Sequence, residues 1–113
     1  MLGEGEQKAV CERHGTAFEP PSGFEKVGIA LSTLHLEPLN GLRHRPESGT
    51  SGWYIWGGPD LSTAADFFQA LHVHHLHQHC PGVLPYLALP PGHRFLLADG
   101  HEDVWEDPAL VEP

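Results

Sequence analysis

The chain has 113 residues, 40% of them hydrophobic, with 15 acidic and 6 basic side chains and a formal charge of −9. The length fits a single domain over 1–113, and the hydrophobic content excludes a chain that is disordered by composition. The charge excludes a nucleic-acid surface, which needs a basic stripe, and leaves a basic protein partner or plain solubility.

Eleven prolines and thirteen glycines imply short elements and many turns. Residues 1–6 and 109–113 read as flexible ends. Gln7 to His14 suits a short helix, stopped by Gly15. Pro20 to Gly23 is a loop. Lys26 to Leu34 reads as a strand, in which Val27, Ile29 and Leu31 alternate with Gly28 and Ala30. The small residues on the second face let something pack closely there. Leu39 to Arg45 is a second extended piece, and Glu47 to Ser51 a polar loop.

Gly52 to Trp56 is an aromatic strand. Alternation sends Trp53 and Ile55 to one side and Tyr54 and Trp56 to the other. Such a strand is buried on both faces, or buried on one and adhesive on the other. We assign Trp53 and Ile55 to the core and leave Tyr54 and Trp56 for a partner; the opposite assignment is open, because sheet register decides it.

Thr63 to Asp66 matches a capping box and predicts a helix with Phe67, Phe68, Leu71 and Leu76 as apolar anchors. Cys80-Pro81-Gly82 interrupts it, and a second short helix ends near Leu87. Leu76, Cys80, Val83, Leu84 and Leu87 are spaced for one buried seam. Asp99-Gly100 between Arg94–Ala98 and His101–Trp105 predicts a hairpin. The fold expected is α+β: a mostly antiparallel sheet with helices packed on one face.

Three constellations bear on chemistry. The run from His72 to Cys80 holds five histidines. On a helix, His72, His75 and His79 share a face, and His75 and His79 can chelate one ion. Without an obvious third and fourth ligand this reads as a solvated face, with no stoichiometric metal expected after chelation and dialysis. A His79–Cys80 nucleophilic pair is disfavoured, since neighbours on a helix diverge and Cys80 falls on the apolar seam. From Asp99 to Pro113 there are six acidic residues and no Lys or Arg. Around Trp105 they read either as a solvated strand edge or as a negative patch with an aromatic anchor. Arg43, His44 and Arg45 form a small basic cluster that can pair with this acidic strand. Two distant cysteines, the lack of an apolar run after a basic start and the lack of a membrane-length apolar stretch suggest a cytoplasmic protein with reduced thiols and no membrane partner.

Asn40-Gly41-Leu42-Arg43-His44, Ser51 to Trp56, Leu71-His72-Val73, Cys80-Pro81, Leu84-Pro85-Tyr86-Leu87, Leu89 to Gly92 and Glu102-Asp103-Val104-Trp105 occur in this order. Together they resemble a bacterial family of predicted immunity proteins that accompany polymorphic toxins. The resemblance runs from about Gln7 to Pro108; the His-rich stretch departs from it. It implies a small α+β cytoplasmic protein, not an enzyme, which binds and neutralises a cognate protein toxin. On this reading the partner-binding residues are Tyr54, Trp56, Glu102, Asp103, Trp105, Glu106 and Asp107. No cofactor or catalytic residue is expected, and the chain is a monomer or weak homodimer. A small His-rich metal-binding protein is the alternative.

Overall fold

The computed structural model describes residues 3–62 and 64–112. One α-helix, α1 (Glu4–His14), precedes six strands: β1 (Lys26–Ile29), β2 (Leu39–Arg43), β3 (Thr50–Gly57), β4 (Gln69–His72), β5 (His93–Ala98) and β6 (His101–Glu106). Four 3₁₀ segments lie between and after them: η1 (Leu31–Thr33), η2 (Val73–Gln78), η3 (Pro81–Tyr86) and η4 (Pro108–Leu110). The strands form one sheet in the order β4-β1-β3-β2-β5-β6. The β1–β3 pair is parallel and the other four pairs are antiparallel. The expected α+β class with a mostly antiparallel sheet therefore holds, with one parallel pair and little α-helix.

β3 lies near the middle of the sheet, buried on one side and partly covered on the other, where Tyr54 stays exposed. On one face Val27, Ile29, Trp53, Ile55 and Phe95 meet Val10 and Cys11 of α1, Val73 and Leu76 of η2, and Val83 and Leu87 around η3. We call this the helix face. Trp53 anchors it: its ring lies 5.4 Å from that of Phe95, and its Nε1 donates to the Leu87 carbonyl at 2.9 Å. Gly41 faces Phe95 across the β2–β5 pair, and a Cβ there would collide with the Phe95 ring. The seam read from the sequence is present, with Leu76, Cys80, Val83 and Leu87 buried. It is carried on 3₁₀ turns, and in η3 the interior Pro85 removes an α-helical hydrogen bond. Both cysteines are buried free thiols, and burial pushes the Cys80 thiol upward.

Arg43 is the feature the sequence concealed. It is a buried cation on the helix face whose Nε donates to the Ser51 carbonyl at 2.9 Å. Its Nη1 donates to Glu19, Leu89 and Leu87 carbonyls at 2.7, 2.8 and 3.3 Å. The guanidinium thus ties the loop after α1 and the end of η3 to the sheet. It lies 5.7 Å from the Trp53 ring. Burial lowers its pKa, but guanidinium is basic enough to remain charged. The pairing with the acidic strand expected for Arg43 does not form, because backbone carbonyls take its donors.

The predicted helix after Asp66 is also replaced. Its proposed cap, Thr63, lies outside the described residues. Gln69–His72 instead forms β4 and pairs with β1, as Val27↔Leu71 and Gly28↔Ala70. Without it, the outer edge of β1 would have unpaired backbone groups. A segment rich in histidine has only modest helix propensity, so sheet pairing prevails. β1 is shorter than expected because Thr33 folds the chain back. Its hydroxyl donates to the Ala30 carbonyl at 3.0 Å and accepts from the Gly57 amide at 2.9 Å.

Candidate partner-binding surface

The second sheet face is only partly covered. Trp56, Leu42 and Ala30 form a small buried cluster beneath Phe67, Phe68 and Leu110. Phe68 holds the cover edge-on, with its ring 5.2 Å from Tyr54, 6.2 Å from Trp56 and 4.9 Å from Phe67. The two phenylalanines read as helix anchors are therefore a loop lid over a sheet.

Strand register lines up one row across this face: Ala70, Gly28, Tyr54, Leu42, Arg94 and Trp105. Gly28 is needed there because a Cβ would sit 2.6 Å from the Tyr54 ring. The small-residue face of β1 is thus a bed for an aromatic ring, as its alternation suggested. Tyr54 remains 38% exposed and forms a ridge. On one side is a notch of about 210 Å³, lined by Gly28, Ala70, Phe68 and Gln69 among others. Another of about 190 Å³ lies between Tyr54, Leu42, Leu61 and Phe68. A wider groove of about 490 Å³ adds Glu47 and Glu112 beside His44 and Arg45. Three concavities converging on one half-exposed aromatic ring suit protruding side chains of a macromolecule.

Trp105 ends the row on edge strand β6 and is 40% exposed. With adjacent strands about 4.8 Å apart, it lies roughly 14 Å from Tyr54. The Arg94 guanidinium lies 5.6 Å from its ring centre, and Nη1 of Arg94 reaches Asp107 at 3.2 Å. The buried Nε of Arg94 has no hydrogen-bond partner among the described residues. Asp107 also caps η4, accepting from the Ala109 amide at 3.3 Å.

The sequence-derived set separates on this geometry. Tyr54, Trp105 and Asp103 share the second face. Trp56 shares it but is only 4% exposed, closed over by Phe68 and its neighbours, so it is not available for contact as expected. Asp103 is exposed and pairs with His101 at 3.0 Å. Glu102 and Glu106 lie on the helix face, because alternation along β6 sends them opposite to Asp103 and Trp105. Asp107 is engaged by Arg94. The carboxylates around Trp105 thus do not form one patch.

Glu102 is a clamp. Its carboxylate accepts from Arg13 at 2.7 and 3.2 Å, meets His14 at 2.9 Å and accepts from the Tyr86 hydroxyl. It joins α1 and η3 to the edge strand. The Arg13 hydrogen bonds, with help from Tyr86 and His14, pull its pKa down to about 2. Burial and the adjacent carboxylate push the Tyr86 phenol up to about 12. A depressed carboxyl pKa contributes stability that is fully present above the unfolded value, about 4.5, and is lost as pH falls through about 2. Glu102→Gln should flatten the stability curve in that window, as denaturant titrations at stepped pH will show; an unchanged acid limb would contradict the clamp.

Comparison with known protein families places the chain. It is a small α+β protein with one face of its sheet only partly covered. The Imm33-like domain model matches residues 6–107, and the chain belongs to that family, an immunity-protein family of polymorphic toxin systems. Searches of curated proteins and of solved structures returned no significant match. Among the described residues no helix is long and apolar enough to cross a membrane.

Proposed function

We propose that this protein binds a cognate bacterial toxin and neutralises it by occupancy, using the sheet face centred on Tyr54 and extended toward Trp105. The observation that carries the reading is the exposed Tyr54 ridge with notches on both sides, in a chain of an immunity family. Aromatic side chains flanked by pockets are the usual energetic centres of protein interfaces. The charge of −9, with Glu47 and Glu112 beside the ridge, favours a basic toxin surface and speeds its capture. Glu102 and Trp56 serve the fold and not the contact. Asp103 contributes at the rim, where single charges tune association rate more than affinity.

The test is co-expression with the toxin encoded beside it. The wild-type chain should restore growth and co-purify with the toxin. A purified toxin that never associates with the folded chain would overturn the proposal.

A further inference from the structure

The helix face proposed for the histidines does not exist, and the fold assembles a different trio. His72 closes β4 in an extended conformation, φ −70° and ψ 142°, and the chain then turns at once into η2. That bend brings His74 and His75 back beside His72. Each offers one ring nitrogen, and the three nitrogens lie within 4.8 Å of one another. The rings of His74 and His75 are 4.2 Å apart, centre to centre, and those of His72 and His74 are 5.7 Å apart.

We infer that His72, His74 and His75 bind one divalent ion of the zinc class, leaving a coordination position open to solvent. Zinc takes imidazole nitrogens at 2.0–2.1 Å, so three of them on a tetrahedral ion stand about 3.3 Å apart. All three histidines are exposed, and small ring rotations close the remaining gap.

The backbone beneath is fixed, which lowers the cost of assembling the ligands. Val73 and Leu76 are buried in the core on either side of the pair. The Val73 amide donates to the Glu25 carbonyl at 2.8 Å and the His74 amide to Gly23 at 3.1 Å. Phe24 meets the His74 ring edge-on at 5.7 Å. Lys26, an exposed cation, lies across from His72 in the β1–β4 pair. His77 is set apart, its Nδ1 hydrogen-bonded to the His74 carbonyl at 2.9 Å. This inference is independent of toxin binding and departs from the expectation of no stoichiometric metal, which rested on the lack of a third ligand beside His75 and His79.

The experiment uses the full chain without an affinity tag, stripped with chelator and titrated with Zn²⁺ against a chromophoric competitor. One ion per chain should bind. His75→Gln and His72→Gln should each weaken binding about tenfold or more. His77→Gln and His79→Gln should leave it within about twofold, being outside the trio. Thermal unfolding in chelator should be the same for all four variants and the wild type, since every substituted side chain is exposed. Absence of a one-to-one complex up to about 100 µM free Zn²⁺ would overturn the inference. So would binding that survives His75→Gln, or that falls equally with His79→Gln.

Discussion

Arg43→Met should lower the unfolding free energy by about 3 kcal/mol or more. The guanidinium satisfies four carbonyls, one on β3, one in the loop after α1 and two in the turn that follows η3. Methionine fills similar space but removes the Arg43 donor from the Glu19, Ser51 and Leu89 carbonyls, while Leu87 keeps Trp53 Nε1; each buried orphan costs about 1–3 kcal/mol. Arg43→Lys should recover little, because one ammonium cannot span acceptors on separate segments. Urea denaturation of the three proteins measures this; a loss below about 1 kcal/mol for the methionine variant would show that water satisfies the carbonyls.

Trp56→Ala carries the second large effect, and it is an effect on folding. The indole is sealed with Phe67, Phe68, Leu42 and Leu110, so truncation should cost about 3–5 kcal/mol. Toxin neutralisation should then decline only as the folded fraction declines. A Trp56→Ala protein of wild-type stability that no longer binds toxin would restore Trp56 to the contact surface and reject the assignment made here.

These two residues also show how far the sequence was legible. Alternation in β3 separated Trp53 and Ile55 from Tyr54 and Trp56, and the structure keeps that division. It could not show that the loop carrying Phe68, twelve residues downstream, would fold back and cover Trp56, since the cover depends on tertiary packing of Phe68. The hairpin from His93 to Glu106 was legible because Asp99-Gly100 sets its turn locally. The helix ending at Gly15 was legible for the same reason, with Gly15 at φ 69°. The strand Gln69–His72 was not, because what stabilises it is the free edge of β1, far earlier in the chain. Arg43 looked like one of three surface cations; neither its burial nor its four carbonyl partners leave a local trace in the chain. Within the site, Tyr54 and Trp105 were readable as aromatic positions. The notch on the β1 side of Tyr54 arises from Gly28 and Ala70 meeting across strands, a matter of register. Glu102 was read as a partner contact; its strand parity points it at α1 instead, where Arg13, His14 and Tyr86 engage its carboxylate.

The most direct measurement is a calorimetric titration of the cognate toxin into the wild-type chain, Tyr54→Ala, Trp105→Ala and Glu12→Ala, the last an exposed position on α1 across the sheet. The account predicts a loss of about 2 kcal/mol, or roughly thirtyfold in affinity, for Tyr54→Ala and a smaller loss for Trp105→Ala, with Glu12→Ala unchanged. Full affinity in Tyr54→Ala together with a loss in Glu12→Ala would place the toxin on the helix side and contradict it.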